Sequence, residues 1–392
     1  MRVAHIITRL ILGGAQENTL LNCEDLIRDY GDDVLLVTGP PLGPEGSLLD
    51  RARSNGVPVE IIDSLRRSIH PTRDWRAYAA LKNVLRRFHP EVVHTHSAKG
   101  GMLGRMAAAA TGVPVIVHTV HGAPFHAYQS ATARQFFRAC EQFAARRSTA
   151  LISVADAMTD QLVGAGVAPR DKFTTIYSGM EVEPFLRANE HRDTLRAELG
   201  YKPEHVVIGK IARLFHLKGH EYVIAAAREI VVRHPQARLL FVGDGILRGQ
   251  LERQVAEAGL AGHVRFVGLI PPTHIADYLG AMDVVVHASL REGLARVLPQ
   301  ALIAGKPVVS YDVDGAREVV LPRITGYLIP PCTVEPMTAA IEELIAKPDL
   351  RETFGLEGRR RFAEQFRHQN MTRQIRALYE RLLAERSAEH SS

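Results

Sequence analysis

The chain has 392 residues, 46% hydrophobic and 23% charged, a composition that excludes a disordered protein and a length that exceeds one ordinary domain. Its three cysteines, Cys23, Cys140 and Cys332, are scattered without a CxxC spacing, which excludes a disulfide framework and a cysteine zinc site and fits a reducing compartment. The net charge of +5 is unevenly spread: residues 1–65 hold ten acidic and five basic side chains, whereas residues 66–147 hold three acidic and thirteen basic ones. A single-sign field of that size faces an anionic partner or simply solvates helix faces.

Short β-branched runs alternate with helical patterns along the chain, the signature of βαβ units and parallel sheets. Strands are predicted at Val3–Thr8, Val34–Val37, Val59–Ile62, Val92–His96, Val115–Thr119, Leu151–Val154 and Phe173–Tyr177. Helices are predicted between them at Gln16–Asp29, Thr72–Phe88, Gly100–Thr111 and Ala133–Arg147. A polar stretch, roughly Arg187–Lys202, reads as a linker, after which the pattern restarts. The second set of strands is Val206–Ala212, Arg238–Val242, Val264–Gly268, Val284–Ala288, Pro307–Tyr311 and Tyr327–Ile329. Helices at Gly219–Arg233, Leu247–Ala258 and Val297–Ala304 separate them, and residues 335–385 read as helix throughout. The N-terminal apolar run is too short for a signal segment, and Gly, Pro or charge interrupts every run before it reaches membrane-spanning length. The expected architecture is two doubly wound halves, in which ligands bind beyond the carboxyl ends of the strands.

The most informative segment is Ser289–Ser310, SLREGLARVLPQALIAGKPVVS. Proline is tolerated only in a helix's first turn, so a helix begins just before Pro299, and Gly305 and Pro307 end it. Gly293, Leu294 and Ala295 then present backbone N–H groups to an anion. Glu292 beside such a site makes sense if it grips hydroxyls, and a sugar diphosphate supplies phosphate and hydroxyls together. In Gly209–Gly219, GKIARLFHLKG, Arg213 follows a strand and Lys218 precedes a helix, so two cations converge near one strand's carboxyl end. Gly13-Gly14 follows the first strand without a GxGxxG pattern, which disfavours a dinucleotide-binding dehydrogenase.

These features, taken in order, resemble glycosyltransferase family 4, the glycosyl transferases group 1. The resemblance rests on Gly13-Gly14, His121 after a strand, the "ARL…KG" segment with Arg213 and Lys218, and an E-x7-E region beginning at Glu292. Ser178-Gly-Met-Glu-Val-Glu-Pro-Phe185, Val242-Gly-Asp-Gly245 and Phe266-Val-Gly268 support it across nearly the whole chain. The sequence departs from the pattern at Gln300, where the family's second glutamate stands and usually holds the donor ribose.

The resemblance implies an α/β protein of GT-B fold, two Rossmann-like doubly wound domains facing across a cleft. Residues 1–187 would form the acceptor-side domain, with a C-terminal helix at about 370–386 packing back on it, and residues 200–369 the nucleotide-sugar domain. It implies a retaining transferase that attacks on the face the diphosphate leaves. His121, Arg213, Lys218 and Glu292 would serve the reaction; Gly13, Gly14, Gly243, Val267, Gly293, Leu294, Ala295 and Gln300 would contact the donor. The donor would be UDP- or GDP-linked, with no cofactor and no metal. His94-x-His96 has a metal-ligand spacing and His118 and His121 follow on the next strand, but Arg213 and Lys218 already supply the cations. His118 and His121 would line the cleft and His94 and His96 would be structural. Asp312-Val-Asp314 resembles a DxD metal motif yet follows a late strand and reads as an ordinary loop.

The basic segment implies an anionic or lipid-linked acceptor in polysaccharide, lipopolysaccharide or glycolipid assembly. A cytoplasmic protein, with peripheral contact to the inner face of a membrane, follows from the same reading. The helix holding Arg134, Phe136, Phe137, Arg138, Arg146 and Arg147 suits a membrane surface, or docks on its own domain through the same phenylalanines. Nucleic acid is not expected, because no recognised binding module is visible. The alternatives are a nucleotide-sugar 2-epimerase of the same fold and a non-catalytic nucleotide-sugar or polyanion-binding protein.

Overall fold

The computed structural model describes residues 1–43, 46–126 and 128–391. The chain forms two compact units, Met1–Met180 together with Phe366–Ser392, and Glu181–Gln365.

In chain order the first unit contains β1 (Arg2–Arg9), α1 (Gly14–Tyr30), β2 (Asp33–Gly39), α2 (Leu49–Ser54), β3 (Val59–Ile61), α3 (Pro71–Phe88), β4 (Val92–His96), α4 (Ala98–Ala110), β5 (Val115–Val120), α5 (Ala131–Ala145), β6 (Ala150–Ser153), α6 (Asp156–Gly164) and β7 (Phe173–Thr175). The strands pair in parallel in the order β3-β2-β1-β4-β5-β6-β7, so the order reverses between β1 and β4. Val3, Ile7, Val92, Val115 and Val117 point to one face of the sheet and Ala4, Ile6, Val93 and Ile116 to the other, each meeting its own buried helix layer. Burial on both faces is why apolar residues of these strands occur at adjacent positions rather than alternating with polar ones. Helix α4 lies close to the sheet because its contacting residues lack side chains: a Cβ on Gly104 would stand 2.7 Å from Thr95 Cγ2, and one on Gly101 2.5 Å from His118 Cε1.

The second unit contains α7 (Glu183–Leu186), α8 (Arg192–Glu198), β8 (Val206–Ile211), α9 (His220–Arg233), β9 (Ala237–Val242), α10 (Arg248–Glu257), β10 (Val264–Phe266), α11 (Ile275–Ala281), β11 (Val284–His287), α12 (Val297–Ile303), β12 (Val308–Tyr311), β13 (Gly326–Ile329), α13 (Glu335–Ala346) and α14 (Pro348–Phe362). Its strands pair in parallel in the order β10-β9-β8-β11-β12-β13, reversing between β8 and β11. Each strand expected from the sequence is present, with ends moved by one or two residues.

The stretch expected to be a linker is instead structured in the second unit. Arg192 and Arg196 of α8 hold Asp283 at 2.6 and 3.0 Å, and Asp283 also accepts from the Val207 N–H at 2.7 Å. Burial pushes the Asp283 carboxyl up, but the two guanidiniums outweigh it and hold it below its ordinary value. Charges that look solvated in sequence here join α8 to the edge of the core.

The last helix, α15 (His368–Ser391), belongs to the first unit. Met371, Ile375, Leu378, Tyr379 and Leu382 enter the core against α1, at the spacing of one helix face. The buried Asp25 carboxylate accepts from His368 Nδ1 at 2.7 Å and from Thr372 Oγ1 at 2.9 Å, which fixes the helix's start.

Candidate active site

In the second unit the loops after β8, β9, β10 and β11 are stitched together at the carboxyl end of the sheet. Leu214 N–H donates to Asp244 O at 2.9 Å, Gly243 N–H to Gly268 O at 2.8 Å, and Leu290 N–H to Leu217 O at 2.9 Å. Gly243 sits at φ 135° with its Cα so close to Ala212 that a Cβ would stand 2.1 Å from the Ala212 carbonyl oxygen, a place only glycine fills. Val267 follows β10 and donates its N–H to Phe241 O at 3.1 Å. This stitching sets the β8–β11 switch point, where a doubly wound sheet binds its ligand.

Lys218, leaving the β8 loop, donates from Nζ to Glu292 Oε1, which follows β11. The Glu292 N–H donates to Asp314 Oδ2 at 2.6 Å, and Gly315 N–H to Gly293 O at 3.0 Å. Gly293, Leu294 and Ala295 precede α12, and their N–H groups meet no acceptor among the described residues. Pro299 is the third residue of α12, inside its first turn, and Gln300 follows it, half-buried, with no side-chain hydrogen bond among the described residues. Arg213 is exposed in the same β8 loop, its guanidinium 5.1 Å from the Phe215 ring centre.

Beneath this pair lies a polar cluster that the sequence reading missed. Lys210 of β8, His220 of α9, His287 of β11 and Ser289 are all buried. Among the described residues Lys210 Nζ, both His220 nitrogens and His287 Nε2 meet no hydrogen-bond partner. Burial, reinforced by the Lys218 charge, lowers Lys210 to about 7; burial lowers His287 to about 3 and His220 to about 2. Burial pushes the Glu292 carboxyl up, but Lys218 and the neighbouring His287 outweigh it and hold it below its ordinary value. Glu292 is therefore an ionised acceptor at neutral pH. A lysine inside the apolar strand Val206–Ile211 is the sequence signal that could have exposed the cluster.

The first unit places His121 directly after β5, where its Nε2 lies 3.2 Å from His96 Nδ1. His96 Nε2 lies 3.1 Å from His5 Nδ1, so three rings form a hydrogen-bonded chain. His94 bonds Tyr379 through Nδ1 and Thr119 through Nε2, the latter at 2.7 Å. Burial lowers His5 to about 3 and lowers His94, His96 and His118 well below the usual range. Ring nitrogens of His5, His94 and His96 lie within 4.8 Å of one another, close enough to surround a cation, yet both nitrogens of His94 and of His96 already have partners. His5 was missed because a histidine inside Arg2–Arg9 looks like a strand filler. His118, expected to line an open site, is buried against Gly101, with Nδ1 2.9 Å from Thr95 Oγ1. The two aspartates of Asp312-Val-Asp314 diverge: Asp312 pairs with Arg317 at 2.8 Å, while Asp314 takes the Glu292 N–H.

Gly13 precedes α1 and Gly14 begins it; the Gly13 carbonyl accepts from Glu17 N–H at 2.9 Å. On α5 Glu141, Ala144 and Ala145 are buried and Phe137 is half-buried, whereas Phe136 is 55% exposed and Phe143 is 42% exposed with the Arg147 guanidinium 3.7 Å from its ring centre. No described helix is long and apolar enough to cross a membrane.

The family described as glycosyl transferases group 1 matches residues 191–361, and the glycosyl transferase 4-like domain matches residues 13–179. A galactosyltransferase of Escherichia coli, UDP-Gal:alpha-D-GlcNAc-diphosphoundecaprenol alpha-1,3-galactosyltransferase, is 29% identical over 332 residues, covering 84% of each chain. The D-inositol 3-phosphate glycosyltransferase of Jonesia denitrificans is 28% identical over 306 residues, covering 74% of this chain and 72% of its own. Among solved structures, Anabaena HepE in complex with UDP superposes with a TM-score of 0.81 at 21% identity, over 97% of this chain and 100% of that one. Sucrose-phosphate synthase of Thermosynechococcus elongatus gives 0.82 at 22% identity, over 98% and 100%. The two parallel sheets, the site at the β8–β11 switch point and these two matched halves make the chain a glycosyltransferase of the family 4 type, with the GT-B fold and a hexosyltransferase's activity.

Proposed function

We propose that the protein moves a hexosyl group, with retention of anomeric configuration, from a UDP- or GDP-linked donor to a lipid-diphosphate-linked acceptor. The observation that carries the donor half is the Lys218–Glu292 pair, which sets a cation and an ionised carboxylate side by side at the β8–β11 switch point. A sugar diphosphate needs both, charge for its phosphates and an acceptor for its hydroxyls.

In this reading Glu292 accepts from hydroxyls of the transferred sugar. Arg213 and Lys218 neutralise the diphosphate as its oxygen leaves C1. The backbone of Gly293, Leu294 and Ala295 adds donors, Gln300 meets the ribose, and Gly243 and Val267 shape the nucleotide's bed. Gly13 and Gly14 approach phosphate, and His121 hydrogen-bonds the sugar. The acceptor oxygen bonds C1 on the face the diphosphate leaves, and the acceptor proton passes to a donor phosphate oxygen. Preorganised positive charge for the leaving group is then the main source of rate, so no resident metal is required.

The acceptor half is supported by the basic stretch 66–147 and by the diphosphoundecaprenol substrate that the E. coli relative's name records. Peripheral contact with an anionic inner membrane face fits the exposed Phe136 and Phe143 among arginines on α5.

The test is incubation with UDP- and GDP-hexoses, following nucleoside diphosphate release with and without a prenyl-diphosphate-linked sugar. Release that depends on the acceptor supports the proposal. A new nucleotide sugar formed without acceptor would identify an epimerase, and tight binding without turnover of any donor would identify a non-catalytic binder.

A further inference from the structure

Several arginines of the first unit have carboxylate partners. Arg51 pairs with Glu24 at 3.1 Å, Arg105 with Glu141 at 2.7 Å, and Arg376 with Asp32 at 3.0 Å. Arg66, Arg67 and Arg73 have no carboxylate partner among the described residues. Arg66 Nε donates to Asp63 O at 3.0 Å, Arg73 Nη2 donates to Ser68 O at 3.0 Å and Ser68 Oγ at 2.6 Å, and Arg73 Nε is buried with no acceptor. All three, with Arg9, line one cavity of about 500 Å³ whose other walls are Pro40, Leu42 and Ser68. With no carboxylate partner among the described residues, the charges of Arg66, Arg67 and Arg73 repel one another until an anion arrives.

A second cavity of about 520 Å³ shares Arg9 and Arg67 with the first, so the two are neighbours. Its walls are largely apolar, including Ile69, Met102, Leu103, Pro124, Phe136 and Phe137. The acids on its wall are already committed, Asp74 to Lys99 and Glu141 to Arg105. Ile69 is 67% exposed and Phe136 55%, apolar surface that a hydrocarbon chain would cover. Both cavities lie in the size range of small-molecule sites, at the carboxyl ends of β1, β3 and β4 next to the reversal of strand order.

Charge in one cavity and hydrocarbon walls in the adjoining one describe a ligand with an anionic group directly attached to an apolar chain. We propose that the first unit holds an isoprenoid diphosphate: the diphosphate lies among Arg9, Arg66, Arg67 and Arg73, and the first isoprene units lie against Ile69, Met102, Phe136 and Phe137. This deepens, and rests on, the lipid-diphosphate acceptor proposed above. Arginine suits the task because its planar fork meets phosphate oxygens two at a time.

Calorimetric titration of the full chain with farnesyl diphosphate, inorganic pyrophosphate and farnesol tests it. Farnesyl diphosphate should bind at least tenfold more tightly than either half alone. The exposed pair Arg66→Gln and Arg67→Gln should weaken it at least tenfold, and Phe136→Ser should weaken farnesyl diphosphate while leaving pyrophosphate unchanged. UDP titrated into the same variants should bind as in the parent, which shows that they remain folded. Equal affinity for farnesyl diphosphate and pyrophosphate would make the site one for any diphosphate, including the nucleotide's, and would overturn the proposal, as would indifference to these substitutions. Efficient transfer to a lipid-free sugar would instead sink the acceptor reading while tight farnesyl diphosphate binding still stood.

Discussion

His96 Nδ1 and His121 Nε2 lie 3.2 Å apart, so the ring that follows β5 is held by a buried ring on β4. Which nitrogen of His121 carries the proton is set at the far end of the chain. His5 Nε2 is buried and meets no partner among the described residues. A stranded N–H is rarer than a stranded acceptor, so His5 carries its proton on Nδ1 and donates to His96 Nε2. His96 then donates from Nδ1 to His121 Nε2, and His121 carries its proton on Nδ1. Nitrogen-15 NMR should show the Nδ1–H form of His121, and an Nε2–H form would refute the chain's direction. His96→Ala deprives His121 of one neutral hydrogen bond, about 1 kcal/mol, and should lower kcat roughly fivefold with little change in KM.

Lys218→Ala and Arg213→Ala should each lower kcat by about 10²–10³, equivalent to roughly 2.7–4 kcal/mol, as for loss of one preorganised donor to the leaving group. Glu292→Gln should be comparably damaging, with an unchanged circular dichroism spectrum. Near-normal turnover in both cation variants would remove the clamp from the account.

The protein should be unusually sensitive to acid. His5 and His287 are lowered to about 3 and His220 to about 2 by burial. Between about 6.5 and those values the unfolded chain holds protons on these rings that the folded chain does not, so the rings' contribution to stability is full above pH 6.5 and falls as pH drops. Each such ring removes about 1.4 kcal/mol per pH unit across that window. Lys210, lowered to about 7, acts in the same direction higher up: the unfolded chain keeps its proton to about 10, so stability rises as pH climbs from about 7. Thermal melts from pH 8 to pH 5 check this. A melting temperature flat below pH 6.5 would show that the rings are hydrated rather than buried neutral.

Gln300→Glu should tighten nucleoside diphosphate binding modestly and leave kcat nearly unchanged, because the ribose is remote from the breaking bond. A glutamate offers two charged acceptor oxygens to two hydroxyls, with bonds roughly twice as strong as neutral ones, where glutamine offers one oxygen and one amide. Calorimetry on both forms decides it. Binding several-fold weaker in the glutamate form would show a ribose pocket rebuilt around the amide.

Much of the fold was legible because strands buried on both faces advertise themselves as largely apolar runs, such as Val284–His287. Lys218 and Glu292 were each legible as site candidates, but their ion pair, between residues 74 apart in the chain, was not. What stayed hidden depends on tertiary pairing of charges and rings. Arg192 and Arg196 looked solvated until Asp283 met them, and His118 looked available until Gly101 let α4 close over it. Lys210 and His5 are single polar residues inside strands, and nothing local distinguishes a buried one from an edge one. Arg66, Arg67 and Arg73 were visible as charge, but their shared cavity is a property of loops brought together after β1 and β3.

The most direct test of the account is the anomeric configuration of the product made from an α-linked nucleotide diphosphate hexose and a prenyl-diphosphate-linked sugar, read by proton NMR. The account predicts an α-glycoside, formed with release of one nucleoside diphosphate per bond and lost in Lys218→Ala. A β-glycoside would contradict it, because attack would then come from the face opposite the diphosphate.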